Sequence, residues 1–313
     1  MRERALRAPG SPDRLLLVFA DGIGLGDEVA DNPFASEPTP ALRALLGGPL
    51  TLTRVQRRDG LALAALDACL GVPGLPQSGT GQTTLFTGRN AQAIVGRHVP
   101  ALPGPRLRAL LAEHSVLKAV SEAGGAVTFA NAYTAAYADR LRAGELRISA
   151  TTAAVLAAGL PLRLLPELAA GRAVTWDVTG EQFALRAGEG VTPVTAEQAG
   201  SRLARLAGEH DLTLYETFVT DLAGHRRWGL EPGDAVARLD GLLAGVLAAR
   251  PPDLTVLLTS DHGNLEEAGH GRHTRNPVPL LAVGPAAEAF ARLTRLDEVA
   301  PRIRALLGAA ASG

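Results

Sequence analysis

Short aliphatic runs that alternate with helical patterns are the feature that most constrains the fold of this chain. A buried parallel strand is a nearly continuous apolar run, because helices cover both faces of its sheet. Such runs occur at 14–20, 126–131, 212–220, 254–260 and 278–284. Amphipathic helical patterns lie between and after them, at 39–46, 115–124, 195–210, 234–250 and 296–308. The alternation predicts an α/β fold, with a mostly parallel central sheet and helices on both faces.

The middle of the chain does not follow this alternation. Residues 132–192 are rich in Ala, Leu and Arg, with glycine and proline interruptions such as "AAGLPLRLLPELAAGR". We therefore expect one α/β core formed by residues 1–131 and 193–313, with 132–192 as a small cap or insertion.

Composition excludes several classes of function. The formal net charge of the 313 residues is -1, which argues against a nucleic-acid-binding stripe or an electrostatic membrane anchor. The single cysteine, Cys69, excludes an internal disulfide framework and suits a reducing compartment. The charged start "MRERALRAPGSPDR" has no apolar signal-peptide region, and no apolar run approaches the roughly 20 residues that span a bilayer. We predict a cytoplasmic protein with no membrane or nucleic-acid partner.

Polar side chains follow three of the apolar runs. They include both carboxylates and imidazoles: Asp21, Asp221, His225, Asp261, His262 and, slightly downstream, His273. Ligands of open α/β sheets bind beyond the carboxyl ends of the strands, so we expect these side chains to meet there. Mixed carboxylate and imidazole ligands suit Zn²⁺ or Mn²⁺. Two such ions, roughly 3.5–4 Å apart, would clamp the attacking and leaving oxygens of a displacement.

A candidate nucleophile lies in the glycine-rich stretch "GLPQSGTGQTTLFTGRN", residues 74–90. Ser78 comes just before a predicted helix over 80–87, whose first N–H groups and dipole favour an anion. A serine hydroxyl needs a base or a metal to lower its pKa. No histidine stands nearby in sequence, so we expect a metal to do so. From these residues alone, Thr80 is an alternative nucleophile.

Each of these residues also has an ordinary structural interpretation. Asp21 could cap a turn, Ser78 could be the N-cap of its helix, and "DHGN" is typical of a turn. The glycines of "DGIGLGDE" could indicate a dinucleotide-binding turn, but Asp27 and Glu28 stand where a pyrophosphate would dock. The joint occurrence of the polar residues at strand ends favours a site over separate structural roles.

The ordered motifs "DGIG", "PQSGTGQTTLFTG", "TDLAGH", "TSDHGN" and "HTRNPVP" carry a family resemblance. Together they resemble the metalloenzyme branch of the alkaline phosphatase superfamily, close to cofactor-independent phosphoglycerate mutase and phosphopentomutase. The match runs from Asp21 to Pro279 in family order. In that family the nucleophile stands ten residues before the Gly of a Thr-Gly or similar pair. Counting back from Gly88, the resemblance selects Ser78 over Thr80.

The resemblance implies an alkaline-phosphatase-like fold and a two-metal enzyme. The ion that activates the nucleophile would be held by Asp21, Ser78, Asp261 and His262, and the phosphate-binding ion by Asp221, His225 and His273. Mn²⁺ or Zn²⁺ is the expected metal, with Mg²⁺ as an alternative. The implied activity is that of a phosphatase or phosphomutase on a small phosphorylated metabolite, through a phosphoserine on Ser78.

The chain departs from the phosphoglycerate mutases in its substrate-binding region. Those enzymes carry a large inserted domain between the nucleophile and the "TDLAGH" motif, where this chain has only residues 89–220. Lys118 is its only lysine, and it lies in a predicted core helix. We therefore expect a different substrate. The candidate contacts to it are Arg89, Arg97, His98, Asp177 and Arg186.

Two other functions compete with this prediction. A catalytically idle metal-binding or scaffold protein would tolerate the loss of a ligand, yet all seven positions carry the expected residue type. A sulfatase-like hydrolase needs Cys or Ser in a C/S-x-P-S-R context, which "SGTGQ" lacks. The sequence favours the two-metal phosphoryl-transfer enzyme.

Overall fold

A computed structural model of the chain describes residues 14–187 and 190–309. The strands are β1 (Arg14–Ala20), β2 (Gln56–Arg58), β3 (Leu61–Leu66), β4 (Val127–Phe129), β5 (Leu212–Thr217), β6 (Leu254–Thr259) and β7 (Val278–Val283). The helices are α1 (Pro33–Ser36), α2 (Pro40–Leu46), α3 (Ser78–Thr87), α4 (Ala91–Val95), α5 (Pro105–His114), α6 (Val116–Glu122), α7 (Ala135–Arg142), α8 (Ala150–Ala157), α9 (Leu165–Ala169), α10 (Glu181–Ala187), α11 (Ala196–Ala207), α12 (Val219–Gly224), α13 (Pro232–Ala249) and α14 (Val299–Leu306). Among the described helices, none combines the length and apolar character that a membrane crossing requires.

These strands form one sheet in the order β2-β3-β7-β6-β1-β5-β4. β1 pairs in parallel with β5 and with β6, and β4 pairs in parallel with β5. β7 is antiparallel to both β6 and β3, and β2 is antiparallel to β3. Most strands therefore share one direction, which confirms the predicted α/β fold with a mostly parallel sheet.

Strand β1 shows why the apolar runs are continuous. Leu16 and Val18 point to one face, where they join a core with α11 and α13. Leu15, Leu17 and Phe19 point to the other face, where they pack with α3, α5, α6 and α14. Because side chains alternate along a strand and both faces are covered, every position must be apolar. The prediction of helices on both faces is confirmed.

The structure corrects two predicted boundaries and adds two strands. The run 212–220 is not one strand: β5 ends at Thr217 and α12 begins at Val219, so Asp221 lies on a helix. Helix α3 begins at Ser78 rather than at residue 80. Strands β2 and β3 were not predicted, because "QRR" is polar and the alanines of "LALAAL" have low β propensity.

Residues 132–192 lie against the β4–β5 end of the sheet. Bridges pair Asn131 with Val174 and Ala132 with Arg163. The Tyr215 hydroxyl on β5 donates to the carbonyl of Thr175 at 2.8 Å. The described part of this segment contains helices α7–α10 and adds no strand to the sheet. Its position brings it beside the carboxyl ends of β4 and β5.

Candidate metal centre

The parallel strands β1, β5 and β6 are neighbours, so their carboxyl ends lie at the same edge of the sheet. Asp21 directly follows β1, and Asp221 stands on α12 after β5. Asp261 and His262 follow β6, and His273 lies on the connection from β6 to β7. The structure therefore brings the predicted ligands together. We call Asp21, Ser78, Asp221, His225, Asp261, His262 and His273 the metal cluster.

One half of the metal cluster surrounds His262. Its Nε2 atom lies 3.3 Å from Asp21 Oδ1 and 3.6 Å from Asp261 Oδ2. The same atom is 3.0 Å from Ser78 Oγ. The ligand atoms of the two aspartates and His262 all lie within 4.8 Å of one another, which is compact enough for one ion.

The other half surrounds Asp221. His225 Nε2 lies 3.4 Å, and His273 Nε2 3.7 Å, from Asp221 Oδ1. The two Nε2 atoms are 3.1 Å apart. The ring of His262 stacks on that of His273 at 3.7 Å, and His262 also forms a compact group with Asp221 and His273. His262 thus faces both halves, although the family resemblance assigns it to one.

Backbone carbonyls orient two of the imidazoles. His225 Nδ1 lies 2.9 Å from the carbonyl oxygen of Gly271, and His273 Nδ1 lies 2.8 Å from that of Pro76. A carbonyl only accepts, so each Nδ1 carries a proton and the Nε2 atom of each ring faces the cluster. Burial, followed by the nearby His262, lowers the pKa of His273 to about 4, so this ring is neutral at pH 7.

The carboxylates of the cluster fit a divalent cation. Asp21 Oδ1 and Asp261 Oδ2 are buried and accept no hydrogen bond. Burial, and then the charges of Asp261 and Asp221, raise the pKa of Asp21 well above its usual value. Buried carboxylates are costly unless paired or bound to a metal. Two unpartnered carboxylate oxygens beside imidazole nitrogens are a suitable donor set for such an ion.

Two glycines allow the strand ends and α3 to approach each other. Gly22 has φ +73°, and a Cβ there would lie 2.7 Å from Asp221 Oδ1. A Cβ at Gly81 would lie 2.6 Å from the carbonyl oxygen of Asp261. The glycine after Asp21 therefore serves a sharp turn and a close approach to the neighbouring carboxylate, both of which exclude a side chain.

Glu266 was missed by the sequence analysis. It is buried and accepts hydrogen bonds from the backbone N–H groups of Gly24 and Asn264, both at 2.8 Å. It also accepts from Asn276 Nδ2 at 3.0 Å and from the Thr274 hydroxyl. Glu266 thereby fastens the turn after β1 to the segments on either side of His273. An acidic residue in a short 3₁₀ turn gives no sequence signal for this role.

Ser78 is the first residue of α3, and Gln77 is its N-cap. The first N–H groups of a helix have no partner within the helix, and its dipole favours negative charge at that end. Ser78 is half-buried, and it lines a cleft together with Asp21 and His273. The hydroxyl is thus accessible at an end of the helix that suits an anion.

The cleft has a volume of ≈ 820 Å³. Residues 132–192 supply much of its wall, including Tyr133, Tyr137 and Trp176. Glu216 of β5 also lines it, and burial raises the pKa of this carboxyl to about 7 despite a 2.6 Å hydrogen bond from Thr151 Oγ1. None of these residues was predicted.

The predicted substrate contacts that follow α3 do not line the cleft. Arg89 comes after the last turn of α3, about 15 Å along the helix from Ser78. Arg97 is exposed. His98 Nε2 lies 3.1 Å from the carbonyl oxygen of Val72, in an interaction within the local loop. Helix α3 carries Arg89 away from Ser78. The chain after α4 returns to the start of α3, where the Val99 N–H donates to Thr80 Oγ1 at 3.2 Å, but there Pro100, Ala101 and Leu102 line the cleft rather than His98.

The two predicted contacts from the middle segment differ in what the structure describes. Asp177 is fully buried and does not line the cleft. It accepts hydrogen bonds from the backbone N–H groups of Gln182 and Phe183, at 2.7 and 3.2 Å, and so stabilises the start of α10. Arg186 lies on α10, but its side chain is outside the described part of the chain.

Comparison with known proteins gives a sequence match to part of the chain. Residues 181–311 match the family model of the metalloenzyme superfamily. A 2,3-bisphosphoglycerate-independent phosphoglycerate mutase from Cereibacter sphaeroides is 34% identical over 126 residues, which cover 37% of this chain and 24% of that protein. The chain thus matches about a quarter of the length of these curated relatives.

Solved structures match nearly the whole chain. The PH0037 protein from Pyrococcus horikoshii has a TM-score of 0.54 at 14% identity, covering 96% of this chain and 98% of that one. Alkaline phosphatase from the Antarctic bacterium TAB5 has a TM-score of 0.54 at 11% identity, with the same coverage of 96% and 98%. These likenesses show the fold. With the partial sequence match, they confirm the predicted resemblance to the metalloenzyme (alkaline phosphatase) superfamily.

Proposed function

From this superfamily resemblance, which implies divalent metal ions and phosphoryl transfer or a related hydrolysis, we propose a specific activity. The protein is a two-metal phosphoryl-transfer enzyme that acts on a small phosphate monoester through a phosphoserine on Ser78. One observation carries the proposal. The metal cluster surrounds a serine at the N-terminus of α3, and two of its buried carboxylate oxygens have no hydrogen-bond donor.

Two divalent ions would complete the cluster. Asp21, Ser78, Asp261 and His262 would hold one, and Asp221, His225 and His273 the other. Bound there, the ions would offset the carboxylate charge, lower the pKa of the serine hydroxyl and stabilise negative charge on a phosphoryl group. Mn²⁺ or Zn²⁺ suits the mixed oxygen and nitrogen donors, with Mg²⁺ as an alternative.

The side chains of the protein set up the displacement. Ser78 Oγ attacks phosphorus, which forms the phosphoserine and releases the alcohol, and the alcohol takes up a proton. The N-terminus of α3 favours the anionic phosphoryl group beside Ser78. Gln82 Nε2 donates to Asp21 Oδ2 at 3.1 Å and holds that carboxylate in place. Transfer of the phosphoryl group to water or to a second hydroxyl then regenerates the serine.

The acceptor decides between a phosphatase and a mutase. The curated relatives are named as mutases of phosphoglycerate, but this chain matches about a quarter of their length. Turnover in ¹⁸O-labelled water distinguishes the two. A phosphatase transfers the label into released phosphate, whereas a mutase releases an unlabelled isomer of the substrate.

The test is a screen of phosphorylated metabolites with Mn²⁺, Zn²⁺ and Mg²⁺. We expect Ser78→Ala to lose turnover while its melting temperature stays unchanged, and mass spectrometry of the wild type to find phosphate on Ser78. Thr80→Ser is the matched control, because the Thr80 hydroxyl donates to the Gln77 carbonyl and serine keeps that bond. Full activity of Ser78→Ala on a confirmed substrate would exclude the proposal. Two bound ions per chain without any turnover would instead favour an idle metal-binding protein.

A further inference from the structure

The cleft beside Ser78 is larger than a phosphate group requires. Its ≈ 820 Å³ lies toward the upper end of the range for sites that bind drug-sized ligands, about 300–1,000 Å³. Most of the lining residues are not members of the metal cluster. The alcohol half of a phosphate ester therefore has room to be large.

Aromatic side chains are concentrated in this cleft. The chain has only 7 Phe, 3 Tyr and 2 Trp among its 313 residues. Five of these twelve line the cleft, and we call them the aromatic wall: Tyr133, Tyr137, Trp176, Phe183 and Phe218. All but Phe183 are half-buried rather than buried, so the core alone does not explain their position.

Four of the five rings of the aromatic wall form two stacked pairs. Tyr133 and Tyr137 stack with centroids 4.7 Å apart and an angle of 23° between the planes. Trp176 and Phe218 stack at 4.3 Å and 5°. Trp228 also packs on Trp176 at 5.5 Å and 70°, and Phe129 lies 6.1 Å from Tyr133. All four stacked rings nevertheless retain exposed surface. Flat ligand rings bind to such surfaces by stacking, largely independently of which ring it is.

The wall is held in place before any ligand binds. Tyr133 and Phe218 stand just beyond the ends of β4 and β5, which pair in parallel. The Tyr133 hydroxyl lies 3.3 Å from Thr152 Oγ1. Trp176 follows Val174, which is bridged to the end of β4. Little ordering is then needed on binding, which favours affinity.

Positive charge accompanies the rings. Arg147, Arg227 and Arg272 line the cleft and are exposed. None of the three forms an ion pair with an acidic residue of the described chain. Guanidinium groups bind anions and also stack on aromatic planes. An anionic ligand with a flat ring satisfies both kinds of surface.

We propose that the alcohol half of the substrate carries a planar ring of nucleobase size, which lies against the aromatic wall while its phosphate is at Ser78. The proposal rests on the proposed function only for the position of the phosphate. Phosphoglycerate, which has no ring, would leave the wall without a contact.

The test compares 5′-AMP with ribose 5-phosphate, which share the sugar and the phosphate and differ in the base. Binding is measured by titration calorimetry on full-length Ser78→Ala with Mn²⁺, so that no turnover interferes. We expect AMP to bind at least about tenfold more tightly, the scale of one stacked base. Equal affinity, or no binding of either compound, would overturn the proposal.

Variants of the wall locate the effect. In the Ser78→Ala background, Tyr137→Leu and Trp176→Leu keep apolar bulk but remove the flat surface. Each should weaken AMP about tenfold and leave ribose 5-phosphate unchanged. Leu185→Ala is the matched control on the same segment, because Leu185 is 80% exposed and lies outside the cleft. Equal losses for both ligands would mean that the wall is only structural, and would contradict the proposal.

The two proposals fail in different ways. If AMP binds through the wall but wild-type protein transfers no phosphoryl group from any ester, the proposed function is wrong and the ring site stands. If turnover depends on Ser78 but AMP and ribose 5-phosphate bind alike, the proposed function stands and the ring site is wrong.

Discussion

The metal cluster and the aromatic wall face the same cleft but are built in different ways. The cluster consists mostly of residues that follow β1, β5 and β6, at a single edge of the sheet. The wall comes largely from residues 133–183, packed beside the ends of β4 and β5. Cluster residues such as Asp261 and His262 are fully buried, whereas most of the wall is half-exposed.

This difference has energetic consequences. Buried carboxylates without hydrogen bonds destabilise a fold unless a cation joins them. Stacked rings at a half-exposed surface destabilise the fold little when no ligand is bound. Substitutions of the buried carboxylates in the cluster should therefore alter metal binding, stability and turnover together, while substitutions in the wall should alter only the choice of ligand.

The largest effect is expected from Asp261→Asn. The change removes a buried charge that faces Asp21, and it removes a proposed ligand. Turnover should fall about a thousandfold or more, the scale of losing one strong electrostatic contact to a transition state. Added Mn²⁺ should no longer raise the melting temperature. With metal removed by EDTA, the variant should melt at a higher temperature than the wild type, because one of two facing carboxylates is gone.

Thermal melts with EDTA and with Mn²⁺ check this prediction. Asp27→Asn is the matched control, because Asp27 lies on the same loop as Asp21 but is exposed. A chelated Asp261→Asn protein that is less stable than chelated wild type would show that the carboxylates do not repel each other in the metal-free state.

Glu266→Gln should have the next largest effect. Both carboxylate oxygens of Glu266 accept hydrogen bonds. The amide of a glutamine would replace one of these oxygens with an NH₂ group, which would face a hydrogen-bond donor. We expect a loss of about 2–3 kcal/mol in the free energy of unfolding. Because Glu266 positions the loops of the cluster, metal affinity should fall about 10–100-fold.

Metal titration and urea unfolding measure these two quantities. The control is Glu267→Gln, since Glu267 is only half-buried and bonds with Asn276 and the surface residue His270. Equal effects of the two variants would argue against a special positioning role for Glu266.

A smaller effect is expected from the titration of Glu216. Burial raises its pKa from 4.5 to about 7, so the folded protein binds this proton more tightly than the unfolded chain does. The resulting stability is fully present below the unfolded pKa and is lost as the pH rises through about 7. Glu216→Gln removes this titrating group. The stability of the variant should therefore fall less than that of the wild type as the pH rises over this range.

The difference should amount to at most about 3 kcal/mol, from 1.36 kcal/mol per pKa unit. Urea unfolding of chelated protein at about pH 5 and about pH 7.5 measures it. Glu209→Gln is the control at an exposed glutamate. Parallel pH profiles for wild type and Glu216→Gln would contradict the raised pKa.

The smallest effect on stability is expected from Arg147→Gln in the wall region. Arg147 is exposed and forms no ion pair with a described acidic residue, so the free energy of unfolding should change by less than about 0.5 kcal/mol. Metal affinity should stay unchanged, while KM for an anionic ester rises several-fold at constant kcat. Arg106→Gln, outside the cleft, is the kinetic control. A loss of metal affinity in Arg147→Gln would remove the distinction between cluster and wall.

Much of the core could be predicted from the sequence, because its signals are local. The five aliphatic runs correspond to five strands, and the Thr195 and Gln198 side chains form a capping box at the start of α11. The polar residues after those strands were candidates because they adjoin the strands directly. Their assignment as ligands remains a prediction. Strands β2 and β3 at the edge of the sheet were not predicted, because neither has a strong β pattern.

The surroundings of the candidate site could not be predicted in this way. Arg89 and His98 follow the nucleophile helix in sequence, yet neither lines the cleft, although Pro100, two residues after His98, does. Asp177 was a candidate contact from the middle segment, but it accepts hydrogen bonds from backbone N–H groups inside the fold. Trp176, its neighbour, faces the cleft instead.

By itself, the sequence determined the α/β core and the group of carboxylates and imidazoles at its edge, because the buried strands and the residues that follow them can be read from hydrophobic patterns along the chain. Only the tertiary structure decided which other side chains meet there. Glu266 bonds to Gly24 across 242 residues, and the aromatic wall depends on how residues 132–192 pack against β4 and β5. Contacts between segments so far apart leave no periodic signal in either one, so motifs could indicate a candidate metal site while the shape of the cleft could not be predicted.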